Sequence, residues 1–113
     1  MLSRENRLKK KKDFQEVFKK GRGIKEDFLF LKASRNETKI SRFGIIVTKK
    51  ASKKAVIRNK IKRKIGEAVR KNMPQIKKGW DGIFIVSQSL GQEELVKIEK
   101  VTMRLLRKTK LLE

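Results

Sequence analysis

A single amphipathic segment, residues 55–72, constrains the fold of this chain more than any other feature. With about 100° of rotation per residue in an α-helix, its apolar residues gather on one face and its cations on the other. The apolar face comprises Ile57, Ile61, Ile65, Ala68 and Val69. The opposite face comprises Arg58, Asn59, Lys62, Arg63 and Arg70. The pattern predicts a helix from Ala55 to Asn72, ended by Pro74, that packs on a sheet and presents its cations outward.

The cationic face of this helix has almost no acidic neighbours. Glu67 is the only acid between Lys49 and Lys71, so most pairs four residues apart carry like charges, which repel. The whole chain holds 33 Lys and Arg against 12 Asp and Glu, a net charge of +21 over 113 residues. A solvated helix surface does not need such an excess, whereas a nucleic acid neutralises it. We therefore expect a nucleic-acid partner.

The length predicts a single domain, residues 1–113, with a basic arm at about residues 1–12. The arm holds too few apolar residues to order itself, so we expect it to be flexible until an anion binds. The longest apolar runs are far shorter than the ~20 residues of a membrane span, and no hydrophobic signal-peptide core opens the chain. The sequence therefore predicts a cytoplasmic protein with no membrane partner, and its small size predicts no small-molecule substrate.

Apolar spacing predicts two further helices. A short first helix starts at Asp13, has one apolar stripe, and ends at Gly21 or Gly23. The stripe consists of Phe14, Val17 and Phe18. A last helix at about residues 93–108 places its apolar residues on one arc. Both helices therefore have a face that can pack on a sheet.

Three short apolar runs predict three strands, at residues 28–31, 43–47 and 82–86. We expect the first two to be antiparallel neighbours, joined by a hairpin connection through residues 34–41. The strand–helix–strand connection from Val47 to Ile83 should pair its two strands in parallel. The sum is an α+β fold, an αββαβα sandwich in which a mostly antiparallel sheet packs against helices.

The chain lacks the residues that most protein nucleases use. It has no Cys and no His, which removes thiolate ligands and the commonest general base. The only adjacent acids are Glu26 with Asp27 and Glu93 with Glu94. The second pair falls in the first turn of a predicted helix, where acids complement the helix dipole. We therefore assign no catalytic residue, no metal site and no bound cofactor to the protein.

At the amphipathic helix the sequence resembles a known family, the protein subunit of bacterial ribonuclease P. The spacing of the family signature is matched by Ala55, Val56, Arg58, Asn59, Lys62 and Arg63. The strand before this helix, residues 44–50, and the opening pattern of residues 7–21 are also similar, and residues 78–81 match loosely. Two positions depart from the signature: Lys60 and Gly66 stand where the family usually has arginines. Lys60 keeps the charge but lacks the planar fork of arginine.

The resemblance implies a ribonucleoprotein that removes the 5′ leader from precursor tRNA, with the chemistry done by a catalytic RNA that requires Mg²⁺. Its partners would be that RNA and precursor tRNA. The implied contacts to the catalytic RNA are Lys49, Lys50, Arg58, Asn59, Lys60, Lys62 and Arg63. The implied cleft for the single-stranded leader is lined by Phe14, Phe18, Phe28 and Phe30. The family also implies a left-handed crossover between Val47 and Ile83, against the usual right-handed rule.

Structural explanations compete with several of these assignments. Phenylalanines at helical spacing are usually core, and for Phe28 and Phe30 core packing is at least as good an interpretation as the cleft. Trp80 fits a cover over the edge of the core better than a base-stacking site. A ribosomal or other structural RNA-binding protein would share the charge and size. A DNA-binding protein fits less well because no dimer element is visible, and a lone metal-dependent nuclease lacks ligands.

Overall fold

A mixed four-stranded sheet and three α-helices make up the fold. The computed structural model describes residues 2–112. In chain order the elements are α1 (Lys11–Lys20), β1 (Arg22–Glu26), β2 (Leu29–Arg35), β3 (Arg42–Val47), α2 (Ala55–Asn72), β4 (Trp80–Val86) and α3 (Gln92–Lys108). The predicted α+β class is confirmed, α2 has the predicted bounds, and one strand is added. None of the helices in the described residues combines the length and apolar character needed to cross a membrane.

The strands lie in the order β1-β2-β4-β3. β2 pairs antiparallel with β1 and with β4, and β3 pairs in parallel with β4, as the strand–helix–strand connection predicted. The prediction that the strands at residues 28–31 and 43–47 are hairpin neighbours is wrong, because β4 lies between them. β4 is buried along most of its length, which suits a central strand that is hydrogen-bonded on both sides.

The added strand, β1, forms a hairpin with β2, whereas the sequence pattern predicted a hairpin between the strands at residues 28–31 and 43–47. Ile24 is its only large apolar residue, so no apolar run marks it. The turn between β1 and β2 contains Asp27 at φ 54°, a left-handed conformation that Asp tolerates better than most residues. The hairpin places β1 at one edge of the sheet and leaves β3 at the opposite edge.

Helices α2 and α3 cover one face of the sheet and form the main core with it. The sheet contributes Leu29, Leu31, Phe43, Phe84 and Val86. The helices contribute Ile61, Ile65, Val69, Ile98, Val101 and Leu105. All of these side chains are at most 2% exposed, and fully burying one such side chain stabilises the fold by about 1.5–3 kcal/mol. The predicted apolar face of α2 is therefore the face that packs on the sheet.

Helix α1 packs on the opposite face of the sheet, in a smaller cluster around Val17, Leu8 and Ile83. The segment before α1 packs partly on the sheet, although we expected it to be flexible. Leu2 and Leu8 are buried, and the Leu8 N–H donates to the Phe43 carbonyl at 3.0 Å. This pairing is possible because β3 is an edge strand with free backbone groups. The run of four lysines that follows stays exposed.

An ion cluster joins β3, β4 and the start of α1. Arg42 donates to both carboxylate oxygens of Asp81, from Nε at 2.9 Å and from Nη2 at 2.7 Å. Asn36 Nδ2 donates to the same carboxylate at 2.8 Å, and Arg42 Nη1 lies 3.3 Å from Asp13. Asp81 is buried, and its hydrogen bonds raise the pKa of Arg42 above the ordinary value. The cluster fixes the first turn of α1, and therefore Phe14, against the sheet.

Candidate nucleic-acid interface

A cleft of about 680 Å³ opens beside the edge strand β3, between α2 and the N-terminal part of the chain. Gly44 and Ile45 line it from the strand. One wall includes Leu8 and Phe14. The other wall, from α2, consists of Val56, Asn59, Lys62, Arg63 and Gly66. We call this feature the β3-edge cleft; it brings three of the predicted RNA-binding residues and one of the predicted aromatic residues to the same place.

The wall formed by α2 carries positive charge that can bind an anion. Asn59, Lys62 and Arg63 are all exposed and lie on one face of the helix, about one turn apart. Among the described residues, neither Lys62 nor Arg63 forms an ion pair with a carboxylate. Both cations can therefore bind phosphate oxygens through charge-assisted hydrogen bonds without first losing a partner.

Gly66 continues the same face of α2 and is buried at the cleft. A methyl group at this position would meet only Ile45 Cδ1, at 3.7 Å, which is an ordinary contact. Close backbone packing therefore does not require a glycine here. Its effect is to widen the cleft next to Asn59 and Lys62, where the family signature would place a further arginine.

Phe14 forms the aromatic part of the opposite wall. Its ring lies directly over Gly44, where an added Cβ would come within 2.6–2.7 Å of two ring atoms. No side chain larger than hydrogen fits at residue 44 while the ring stays in place. The ring is half-buried, with its position set by β3 beneath it and by the ion cluster at Asp13 next to it.

The other three predicted cleft phenylalanines lie elsewhere. Phe18 is 41% exposed on α1, with the Lys32 ammonium 5.9 Å from its ring centroid. Phe30 is half-buried on the α1 side of the sheet, with its ring over Gly23. Phe28 is 2% exposed within the main core, so its predicted place in the cleft is wrong. Core packing was the alternative interpretation, and the structure supports it for Phe28 only.

A row of half-buried apolar side chains continues from Phe14 across the sheet. Phe30 is the register partner of Ile85, and Ile85 is the partner of Ile46, so the three cross β2, β4 and β3 in line. Gly44 and Ile46 are two residues apart on β3, which puts Ile46 on the same face as the ring of Phe14. Sequence analysis missed Ile46 and Ile85; period-2 alternation would have found them if the strand directions had been known.

The remaining predicted RNA-binding residues do not share one surface. Arg58 is half-buried, and its Nη1 donates to the Ser52 carbonyl at 2.8 Å, so it holds the turn before α2. Lys60 is exposed and does not line the β3-edge cleft; it lines a groove between α2 and α3, which shares Arg63 with that cleft. Lys49 and Lys50 are exposed in the turn that leads into α2. The grouping of Arg58 with the outward-facing cations is therefore the part of the prediction that differs from the structure.

Glu26 and Glu94, one from each pair of adjacent acids, have structural partners. Among residues 2–112, no three His, Cys, Asp or Glu residues are grouped so that they could hold a metal ion. Glu26 lies 3.4 Å from Lys108 Nζ, and Glu94 accepts the Gly91 N–H at the start of α3. On α2, hydrogen bonds led by those from Arg70 lower the pKa of Glu67 to about 2, so it stays charged well into the acid range.

Sequence comparison connects the chain to one family. The family model of ribonuclease P matches residues 2–110. A ribonuclease P protein component from Clostridium botulinum is 37% identical over 106 residues, which cover 93% of this chain and 95% of that protein. One from Roseiflexus castenholzii is 38% identical over 108 residues, with coverage of 95% and 88%.

Solved structures give the same result. The RNase P protein from Staphylococcus aureus superposes with a TM-score of 0.84 at 31% identity, covering 96% of this chain and 98% of that one. The protein from Thermotoga maritima superposes with a TM-score of 0.74 at 30% identity, covering 95% and 97%. The agreement extends over nearly all of the sequence and the fold. The chain therefore belongs to the ribonuclease P family, among the bacterial ribonuclease P protein components.

Proposed function

We propose that this chain is the RNA-binding subunit of a ribonuclease P ribonucleoprotein that removes the 5′ leader from precursor tRNA. One observation supports this most: the β3-edge cleft faces Asn59, Lys62 and Arg63 on one side and Phe14 on the other. Single-stranded RNA is bound where cations meet the phosphates and aromatic rings stack on the bases. The cleft offers both kinds of contact across one strand edge.

The leader would enter this cleft and continue over the sheet. From the ring of Phe14, the half-buried row of Ile46, Ile85 and Phe30 extends the apolar surface across three strands. Bases can pack on such a row without sequence-specific hydrogen bonds. This arrangement suits a leader whose sequence differs from one precursor tRNA to the next.

Contacts to the catalytic RNA would come from the exposed cations around the N-terminal half of α2. Lys49 and Lys50 lie before the helix, and Lys60 lines the groove between α2 and α3. Their charges can neutralise the phosphates of a folded RNA. In this proposal Arg58 has a positioning role, because its bond to Ser52 orders the turn that carries these lysines.

Catalysis in the proposal belongs to the RNA and its Mg²⁺ ions. The protein supplies charge neutralisation and a fixed path for the leader, which raises the affinity for precursor tRNA. The adjacent acids do not form a two-metal site in this proposal, since Glu26 and Glu94 already hold structural contacts.

Cleavage assays test the proposal directly. Precursor tRNA is incubated at low Mg²⁺ with the protein alone, with a bacterial ribonuclease P RNA alone, and with both. We expect cleavage only where the RNA is present, and faster cleavage when the protein is added. Cleavage by the protein alone would contradict the proposal. An RNA that binds the protein without any gain in cleavage would favour a purely structural RNA-binding protein.

A pair of variants tests the surface. Lys62→Ala with Arg63→Ala removes the two cations that α2 contributes to the cleft, and Lys97→Ala with Lys100→Ala removes two exposed lysines of α3. We expect only the first pair to weaken precursor binding and to reduce the salt dependence, by a slope of about 0.7–0.9 per lost phosphate contact. Equal losses in both pairs would show that net charge, rather than the cleft, governs binding.

A further inference from the structure

A second groove combines an aromatic ring with cations, at the edge of the sheet opposite β3. It has a volume of about 610 Å³ and lies between β1, β2, the start of β4 and the residues after α3. Its charged and aromatic residues are Lys20, Arg22, Arg35, Trp80, Lys108 and Lys110. We call it the Trp80 groove. It shares no residue with the β3-edge cleft, so the function proposed above does not use it.

The groove is lined by five cations and by no carboxylate. Two of the cations already have acidic neighbours: Lys20 is 3.0 Å from Glu16, and Lys108 is 3.4 Å from Glu26. Arg22, Arg35 and Lys110 form no ion pair with the carboxylates of the described residues. Three free positive charges therefore surround one ring, an arrangement that repels itself unless an anion lies between the charges.

The ring is held by the sheet. Trp80 and Arg35 are register partners at the end of the β2–β4 ladder, and the backbone N–H of Trp80 donates to Ser41 Oγ at 3.2 Å. The Arg35 guanidinium lies 5.7 Å from the ring centroid. Aromatic rings and arginine guanidinium groups are the surfaces on which proteins stack unpaired RNA bases. The ring packs against the edge of the main core, as the sequence analysis favours, and is half-buried. The part that stays accessible lies beside an exposed arginine, so packing on the core and stacking of a base are compatible.

We propose that the Trp80 groove binds a segment of single-stranded RNA, with a base stacked on Trp80 and Arg35 and with phosphates held by Arg22 and Lys110. Single-stranded RNA is favoured over a duplex because a duplex presents phosphates but no free base face. It is favoured over an acidic peptide or polysaccharide because these offer charge without planar rings. The protein would thus contact RNA at both edges of its sheet.

Trp80 is the only tryptophan of the chain, so all of the tryptophan fluorescence comes from the ring in this groove. The full-length protein is titrated with a ten-nucleotide uridine RNA, with a duplex RNA of equal charge, and with a heparin fragment of equal charge. We expect saturable quenching by the single strand and little quenching by the other two. Equal quenching by heparin, or no quenching by the single strand, would overturn the proposal.

Charge reversals locate the binding. Arg22→Glu with Lys110→Glu should weaken the quenching titration at least tenfold and reduce its salt slope by about 1.4, for two lost single-strand contacts. Lys97→Glu with Lys100→Glu makes the same change in net charge on exposed α3 residues and should leave the titration nearly unchanged. Far-ultraviolet circular dichroism checks that both variants are folded. Equal weakening in the two variants would overturn the proposal.

A third variant separates this inference from the proposed function. Lys62→Glu with Arg63→Glu alters the β3-edge cleft and should impair the binding of precursor tRNA while Trp80 quenching persists. If quenching is lost only in this cleft variant, the ring responds to RNA held elsewhere and the Trp80 groove is not a binding site. If precursor cleavage never depends on the protein but the quenching pattern holds, the groove stands and the proposed function fails.

Discussion

Replacing Asp81 by Asn should be among the most destabilising polar substitutions in the chain. The Asp81 carboxylate is buried and accepts two hydrogen bonds from Arg42 and one from Asn36. Asn keeps the shape and one oxygen acceptor but removes the charge. The Arg42 guanidinium then faces an amide, and one of its two donors meets an N–H group instead of an oxygen.

The size of the effect follows from the burial of the two partners. Removing one member of a fully buried ion pair costs about 3–5 kcal/mol. The Arg42 side chain is 25% exposed, so water can reach part of it, which places the cost near the lower limit, at about 3 kcal/mol. With an unfolding entropy of about 2.1 cal/mol/K per residue over a chain of this length, that corresponds to a melting temperature lower by roughly 12 °C.

Thermal and urea unfolding of the full chain, followed by circular dichroism, measure this change. Asp13→Asn is the matched control, because Asp13 also lies next to Arg42 but makes one longer contact and is more exposed. We expect a cost of about 1 kcal/mol or less for the control. If Asp81→Asn also costs less than about 1 kcal/mol, the pair is screened by water and the argument from burial is refuted.

Three further predictions concern the cleft and helix α2. Gly44→Ala should destabilise the chain by about 1–3 kcal/mol in thermal unfolding, since the new methyl group displaces the Phe14 ring; an unchanged melting temperature would refute the ring's position. Phe14→Leu should weaken the binding of leader-bearing precursor tRNA, by about 1–3 kcal/mol for one stacked base, and leave mature tRNA binding unchanged. Arg70→Ala should raise the pKa of Glu67 from about 2 toward 4.5, as measured by carboxyl NMR titration. Because folding depresses this pKa, ionised Glu67 stabilises the folded chain above pH 4.5, and this stabilisation is lost as the pH falls toward 2. The variant should lose part of this pH-dependent stabilisation.

Helix α2 could be predicted with approximate bounds, from about Ala55 to Asn72, because its information is local. Apolar residues recur with helical spacing over five turns, and Pro74 follows the last turn. The order of the strands could not be predicted in this way. Whether the strand at residues 43–47 pairs with β2 or β4 depends on contacts between distant segments, and a short polar connection at residues 34–41 is compatible with either. The handedness of the crossover stays a prediction from the family resemblance.

The candidate site was predictable where it lies on α2 and less so where it lies on the sheet. Asn59, Lys62 and Arg63 follow from helical periodicity. Phe28 and Phe30 are two residues apart, and simple alternation would place them on the same face. Phe28 lies in the turn with Asp27, outside β2, so strand alternation does not apply to it; it enters the main core, while Phe30 lies within β2 on the α1 side. Strand bounds, which sequence patterns fix poorly, decide which ring is available to a ligand.

Glycines within strands were the signal that could have located the aromatic surface. Gly44 lies under the ring of Phe14, and Gly23 lies under the ring of Phe30. Glycine in a strand weakens it and often marks a close approach of another group. Here each glycine lets a ring rest directly on the sheet backbone, so both rings are held by regular structure and not by a mobile loop. A ligand that stacks on them would lose little entropy in ordering them, which is why we expect the leader path to be preformed in the free protein.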